Sequence, residues 1–453
     1  MLSDLMLRML NPVTDDMFDT MMTEPYANNP FLMMTIMEKM TMRAIAEAGM
    51  RAQTGQALSR PIGSPLRSSP WEKLLLNPRQ LFELPTEDEH KIEMKVTIGP
   101  RAKKPLIIDI PIMITGMSYG GSLSLTMKEA LAKGASKANT ATNTGESAVS
   151  REERDAAKFL IGQYNRGGWL NDPQQLKKLD AIEVQLGQGA WGGAVASTMD
   201  SSKMDDHLRE LWKVKPGETT GKKARFPKVN TPQDIISLVN SLKEKYDVPV
   251  GIKIAGTHFM EKELEIIAQT KADFITIDGQ EGGTAASAPT LEDDLGLPTL
   301  FTIARTVDWL KKQGLRDRFT IIGAGGLRTP GEFLKALALG ADAVYIGSIA
   351  LIATMQSQMT KALPQSPAPQ LALYDGKFKE EFDPEEGSQH LANFLKSCSA
   401  EMVMALQAMG KSSVRQLGRE DLVSIDQGLA KALHVGYVGE AKTSEGFMPL
   451  AAR

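Results

Sequence analysis

The chain has 453 residues, 42% hydrophobic and 24% charged, with a single cysteine, Cys398, and a formal charge of −3. One thiol excludes an intrachain disulfide, a CxxC redox pair, a cysteine-rich zinc site and an iron–sulfur cluster held within one chain. The balanced charge offers no basic excess for nucleic acid or an anionic membrane, and no apolar run of about 18 residues or signal segment stands out, which reads as a cytoplasmic protein.

Taken in chain order, the first 50 residues hold 12 of the 25 methionines. Phe31, Met34, Met37, Met40 and Ile45 recur at helical spacing, which predicts an adaptable apolar helix over 31–50 that packs on the protein's own surface or serves a subunit contact. Thr54 to Pro70 is rich in Ser, Pro and Gly and reads as a connection, so residues 1–80 form an N-terminal helical extension with its linker. After Lys104, short β-branched runs alternate with helical stretches, the pattern of βα units in a parallel sheet. The expected strands are Ile112–Gly116, Asn139–Thr144, Phe159–Tyr164, Ile182–Gly187, Val250–Ala255, Phe274–Asp278, Phe319–Gly323 and Val344–Gly347. Ser150-Arg-Glu-Glu153 and Thr329-Pro-Gly-Glu332 match capping boxes, and Thr231-Pro232 precedes a helix over Ile235–Tyr246. Eight strands within the 246 residues from Pro105 to Ala350 predict an α/β fold, a (β/α)8 barrel of about 250 residues, assigned to 81–363. The alternative, a doubly wound open sheet, calls for a GxGxxG turn after an early strand, and none lies between Pro105 and Gly145. Residues 364–453 follow as a C-terminal helical extension packing on the barrel, with Cys398 in a helical stretch as a structural thiol.

In such a barrel the active site lies on loops after the C-terminal strand ends, and phosphate often binds after the seventh and eighth strands. Those loops read Gly323-Ala-Gly-Gly326 and Gly347-Ser348, each leading into a helix whose first amides and dipole suit an anion. Glycines that merely end strands are the plainer reading, but both fall where the fold predicts phosphate. Lys253, in the apolar Val250-Gly-Ile-Lys-Ile-Ala-Gly256, either enters the barrel mouth beside an anion or snorkels outward; near a flavin it would stabilise the reduced ring. Glu146 and Glu281 are catalytic candidates for proton handling or for holding an amine, the alternative being loop carboxylates capped by backbone amides. His90, His207, His258, His390 and His434 show no ligand spacing, so no metal site is expected.

Seven ordered segments make the sequence resemble the FMN-binding glutamate synthase family, including the flavin subunit of N-methylglutamate synthase, from about Leu81 to at least Val438. They are Pro111-Ile-Met-Ile-Thr-Gly-Met-Ser-Tyr-Gly120, Ala141-Thr-Asn-Thr-Gly-Glu146, Ala181-Ile-Glu-Val-Gln-Leu-Gly-Gln-Gly189, Val250-Gly-Ile-Lys253, Ile277-Asp-Gly279, Gly282-Gly-Thr-Ala285, and Gly325-Gly-Leu-Arg328 with Lys335 to Gly347. The resemblance implies FMN, with Gly325, Gly326, Gly347 and Ser348 near the phosphate, Met117, Ser118, Thr142, Asn143, Gln188 and Lys253 near the ring, and Asp278, Gly282 and Gly283 lining the ligand pocket. It implies reduction of 2-iminoglutarate, formed from 2-oxoglutarate and ammonia, with Glu146 assisting the amine.

Three departures bear on substrate and electron supply. Gln188-Gly-Ala-Trp191-Gly-Gly193 stands where glutamate synthases have Gln-Gly-Ala-Lys-Pro-Gly, which removes a cation expected near the dicarboxylate; Arg151, Arg154, Arg166 and Arg328 are its possible replacements. Gly279-Gln-Glu-Gly-Gly-Thr-Ala285 replaces Gly-His-Asp-Gly-Gly-Thr-Gly. Ala350 to Gln358 lacks the cluster cysteines, so no iron–sulfur cluster is expected and electrons come from a mobile donor, the substrate or a partner. Ammonia or amine arrives free or from a separate amidotransferase subunit, and an oligomer is expected. The competing readings are another FMN-barrel chemistry, 2-hydroxy-acid oxidation or diphosphate isomerisation, and a non-catalytic flavin subunit of a larger complex.

Overall fold

The computed structural model describes residues 2–440 apart from Pro30, Gly192 and Ala194, so Gly192 of the Trp191 loop lies outside the described residues. The chain divides into two compact units, Met1–Ser59 and Arg60–Arg453, which places residues 60–80 with the barrel rather than with the N-terminal helices. The smaller unit contains helices Leu2–Thr23, Phe31–Met40 and Met42–Thr54. The helix expected over 31–50 is broken at Thr41, whose φ of 58° leaves helical space and whose hydroxyl accepts from the Ala44 amide at 3.2 Å. A local cap has overridden a continuous apolar pattern. Neither flanking helix buries a residue.

In the larger unit, eight parallel strands follow one another: β1 Ile112–Ile114, β2 Ala141–Asn143, β3 Phe159–Tyr164, β4 Ala181–Gln185, β5 Val250–Ala255, β6 Phe274–Asp278, β7 Thr320–Ala324 and β8 Ala343–Ile346. Their order around the sheet is β1-β8-β7-β6-β5-β4-β3-β2, and a bridge between Gly116 and Asn143 joins the two ends. The sheet is therefore a barrel, not an open doubly wound sheet. Its strands are buried on both faces, which is why they read as apolar runs rather than as alternating ones. The opposite end is covered by a hairpin, Val96–Ile98 with Leu106–Ile108; the Gly99 amide that follows its first strand donates to Thr320 Oγ1 at the start of β7, at 3.1 Å.

Of the expected caps, that at Thr231 forms in full ahead of helix Pro232–Lys245, its amide donating to Asp234 Oδ2 at 2.9 Å, whereas the two expected capping boxes form only by half. Ser150 and Thr329 hydroxyls accept from the Glu153 and Glu332 amides. The reciprocal carboxylates are engaged elsewhere: Glu153 is 2.8 Å from the Lys128 ammonium and Glu332 is 2.8 Å from the Arg328 guanidinium.

Between β4 and helix Pro232–Lys245 the chain builds a cap unforeseen from sequence, comprising the antiparallel pair Ser197–Asp200 and Thr219–Lys222 and the helix Asp206–Trp212. Leu208, Trp212 and Val214 pack with Tyr119, Ala148 and Tyr374 in a satellite core that anchors the cap over the loops after β1 and β2. Beyond β8, helix Pro384–Ala408 lies along helix Leu125–Lys137. Leu422–Ser424 then pairs with Leu74–Leu76, tying the start of this unit to its end. Cys398 is buried in the long helix, and burial pushes its thiol up to about 12, as a structural thiol requires.

Candidate active site

Strand register decides which side chains enter the barrel, because directly opposed residues of parallel neighbours share a face. Gln163 is opposite Glu183, Gln185 opposite Lys253, and Lys253 opposite Thr276. The interior is polar at this level. Glu183 accepts from Gln163 Nε2 at 2.8 Å, Asn143 Nδ2 at 3.2 Å and Thr276 Oγ1 at 2.6 Å. Asn143 Nδ2 also reaches Tyr345 Oη at 3.3 Å, and burial together with the charge on Glu183 pushes that phenol well above its ordinary value. Lys253 lies 3.1 Å from Asp278 Oδ2, with side-chain exposures of 3% and 7%. Burial opposes its ammonium, but Asp278, Glu183 and Glu146 outweigh that and lift its pKa above the ordinary lysine value. Lys253 thus points into the mouth and stays charged; the outward reading is excluded.

On the side of β6, β7 and β8 the site is mostly backbone. Gly325 and Gly326 have φ of 111° and 68°, and a β-carbon on Gly326 would lie 2.5 Å from Glu281 Cβ. Helix Ser348–Met355 begins directly after Gly347 with no side chain capping it, so its first amides face outward from the strand end. The loop after β6 closes on this point: a β-carbon on Gly283 would sit 2.8 Å from Ser348 Oγ, and one on Gly282 would sit 2.7 Å from Asp278 Oδ1. Residues 60–64 strap that loop, with Arg60 bridged to Ser287 and Ile62 N donating to Thr284 O at 2.7 Å. Glu281 Oε2 accepts from Thr299 N at 2.9 Å and Thr299 Oγ1 at 2.8 Å, which commits that oxygen to the start of helix Thr299–Lys312, while Oε1 is buried without a hydrogen-bond partner.

On the side of β1 to β4 the site is mostly charged side chain. Gly145, at φ 69°, lets its loop rest on the β1 loop, since a β-carbon there would lie 2.6 Å from Ser118 N and 2.7 Å from the Met117 carbonyl carbon. The next residue, Glu146, has 6% side-chain exposure, accepts from Lys222 Nζ at 2.6 Å and lies 3.5 Å from Arg166 Nη2. Lys222 ends the cap hairpin, and its ammonium stands 4.7 Å from the centre of the Trp191 ring. Trp191 Nε1 in turn donates to Thr284 Oγ1 at 2.8 Å, joining the cap side to the β6 loop. Gln188 Oε1 accepts from Gln185 Nε2 at 3.2 Å.

Most expected site residues therefore converge, and Thr142 does not. It alternates with Asn143, whose side chain is inside, so its buried and unpartnered hydroxyl faces the helical layer. Of the candidate replacement cations, Arg151, Arg154 and Arg328 pair with Asp155, Asp180 and Glu332, and Arg166 alone reaches Glu146. His258 lies beside Arg305 away from these groups. Sequence reading missed Gln163, Glu183, Tyr345 and Lys222. An acid inside Ala181-Ile-Glu-Val-Gln185 is the same signal that exposed Lys253; Lys222, in a polar segment, carries none. Among the described residues, no group of His, Cys, Asp and Glu could hold a metal ion, and no helix is long and apolar enough to cross a membrane.

The family model for the conserved region in glutamate synthase matches residues 63–412. A glutamate synthase large subunit-like protein of Rhizobium meliloti is 31% identical over 417 residues, spanning 87% of this chain and 93% of that one. An archaeal-type glutamate synthase (NADPH) of Thermotoga neapolitana is 31% identical over 366 residues, spanning 80% and 71%. Among solved structures, an arginine-to-lysine variant of flavocytochrome b2 superposes with TM-score 0.52 at 18% identity, covering 86% of this chain and 88% of that one. A mutant of (S)-mandelate dehydrogenase gives 0.51 at 16% identity, covering 80% and 92%. The solved structures share the barrel, and the sequence matches carry the kinship further: the chain belongs to the glutamate synthase family.

Proposed function

We propose that this chain is an FMN-dependent oxidoreductase of glutamate synthase type that reduces an imino acid to an amino acid, by default 2-iminoglutarate formed from 2-oxoglutarate and ammonia or an amine. The observation that carries this reading is Lys253, a buried ammonium held charged at the centre of the mouth between an anion cradle on one side and a caged carboxylate on the other. The residues present fit the cofactor. The uncapped amides at Ser348 with Gly325, Gly326 and Gly347 suit its phosphate. Met117, Ser118, Gln188 and Lys253 suit its ring, Asn143 braces the barrel closure beneath, and Asp278, Gly282 and Gly283 line the pocket.

When bound, FMN supplies the hydride that no amino-acid side chain can. Lys253 contributes a fixed positive charge where negative charge develops, without changing protonation. Glu146 presents a carboxylate to an ammonium or amine and can accept and return its proton. Glu281 keeps the β6 loop against the Gly326 turn through Thr299. With Cys398 buried away from these groups, electrons come from a mobile donor or a donor subunit, and ammonia from solution or an amidotransferase subunit.

The test is anaerobic reduction of the purified flavoprotein followed by mixing with 2-oxoglutarate and ammonium. Rapid reappearance of oxidised-flavin absorbance with glutamate as product is expected. Protein purified natively without FMN would sink the reading, and reoxidation only by another keto acid and amine pair would replace the default substrate.

A further inference from the structure

We infer that the outer face of the barrel holds a second ligand site, for a branched-chain α-amino acid, formed by an apolar cavity with Arg225 and Glu263 at its rim. It lies outside the mouth and stands or falls independently of the imino-acid reading.

The cavity measures about 260 Å³. Its apolar wall comes from Leu186 just after β4, Ile254 of β5, Val229 and Ile235 around the start of helix Pro232–Lys245, and Ile266 of helix Met260–Ile267. Lys253 points into the mouth, so the alternation of a strand turns Ile254 outward to this layer. Leu186, Val229 and Ile235 pack against the outer core yet stay half-buried, and the apolar body of a ligand completes their burial. A dry cavity of about 150 Å³ accepts benzene. On that scale this one accepts about ten non-hydrogen atoms, which fits leucine or isoleucine and falls short of phenylalanine.

The rim supplies the charges. Arg225 and Glu263 are exposed, and among the described residues neither side chain makes a hydrogen bond or ion pair, with the other or with any neighbour. Asn230 adds an amide beside them. The hydroxyls bordering the cavity are already spent, Thr231 Oγ1 on Asp234 Oδ2 at 2.9 Å and Thr270 Oγ1 on the Ile267 carbonyl at 2.7 Å. A free guanidinium and a free carboxylate above an apolar cavity complement an α-amino acid. Its carboxylate takes the fork of Arg225, its ammonium takes Glu263, and its side chain fills the cavity. A fatty acid would set its own charge against Glu263, and an alkylamine would set its charge against Arg225.

The site backs directly onto the mouth. Leu186 N donates to the Lys253 carbonyl at 3.0 Å, and the chain runs on from Leu186 to Gln188 and Trp191. Arg225 follows closely on Lys222 of the cap hairpin. An occupant therefore touches the roots of both segments that bound the charged half of the mouth.

The experiment is isothermal titration calorimetry of the FMN-loaded full-length protein with L-leucine, with 4-methylpentanoate, which lacks the ammonium, and with 3-methylbutylamine, which lacks the carboxylate. L-leucine is expected to bind saturably in the millimolar range, and each analogue about two- to fivefold more weakly, the scale of one exposed charge pair. Ile235→Trp fills the cavity and should abolish leucine binding, whereas Glu146→Gln, in the mouth, should leave it unaltered. Arg225→Met, at an exposed position that the fold does not need, should bind L-leucine and 3-methylbutylamine alike. Wild type that shows no saturable leucine binding, or that binds all three compounds equally, overturns the site. Leucine binding that survives in Ile235→Trp, or that disappears in Glu146→Gln, also overturns it, because the amino acid would then occupy the mouth. If Ile235→Trp does not fold, undiminished discrimination against the amine in Arg225→Met overturns the site by itself.

Discussion

Around the barrel mouth, the loops after β6, β7 and β8 offer backbone, whereas those after β1 to β4 offer charged side chains braced by the cap. The first half is shaped by where a β-carbon is forbidden, as at Gly326 against Glu281. The second is shaped by charge pairing, with Glu146 between Lys222 and Arg166 and Glu153 on Lys128. A constant cofactor phosphate asks for amides at one place, which glycines and a helix start supply locally. A substrate asks for side chains whose partners lie far apart in sequence. Mutations should therefore separate the halves, cofactor loss following changes on one side and substrate selectivity following changes on the other.

The largest expected break is in the bracing of the charged half. Lys128 and Glu153 are almost wholly buried 2.8 Å apart, and the Lys128 ammonium also donates to the Asn143 carbonyl at 2.8 Å, at the strand that closes the barrel. Lys128→Met leaves Glu153 buried and unpaired, a loss of about 3–5 kcal/mol in unfolding free energy by denaturant titration. A loss under about 1 kcal/mol would mean that water already reaches Glu153.

Lys253 sits where the halves meet, and its replacement should cost both. Lys253→Met is expected to lower kcat by about 10²–10³, the scale of a removed electrostatic donor at a reacting centre, in stopped-flow flavin reoxidation. Its pH dependence is also fixed in sign. A lysine whose folded pKa is raised keeps its stabilising charge below the unfolded value near 10.5 and loses it only as pH rises through a higher one. No fall in turnover between about pH 7 and 10 should therefore trace to this residue, and a limb in that window that vanishes in Lys253→Arg would contradict it.

Gly326→Ala tests the backbone half alone. Its φ of 68° and the 2.5 Å approach to Glu281 Cβ impose about 1–3 kcal/mol of strain, or about ten- to a hundredfold in FMN affinity by fluorescence titration. The KM for 2-oxoglutarate in whatever fraction retains FMN should be unchanged.

The same division explains what could be read in advance. Eight strands were legible because doubly buried parallel strands are apolar runs, and the glycine loops because their chemistry is local. The cap hairpin was not, since Thr219–Lys222 is polar and partly exposed and lacks any apolar alternation. Thr142 was placed near the ring by the family resemblance alone, which says nothing of the parity of a polar strand; the contacts of Asn143 decide that parity. Glu183 carried the signal of a charge in an apolar strand, but its partners come from β2, β3 and β6, so its role as hub exists only in the assembled barrel.

The smallest effects give the cleanest contrast, because two similar caps lie on opposite halves. Ser150 starts helix Arg151–Ala156 behind Glu146, and Thr329 starts helix Pro330–Ala338 just after the Gly325–Gly326 turn. Each hydroxyl accepts one backbone amide, at 3.2 Å and 3.3 Å, so either alanine substitution should cost about 1 kcal/mol of stability. Their functional signatures should differ. Thr329→Ala loosens the helix that anchors the glycine turn and should weaken FMN binding by a few-fold, about 1 kcal/mol or less. Ser150→Ala should leave FMN affinity unchanged and instead soften the positioning of Glu146, seen as a raised KM for the amine at unaltered flavin content. If both variants shift FMN affinity alike, the mouth responds as one rigid body and the division into halves describes composition without describing energetics.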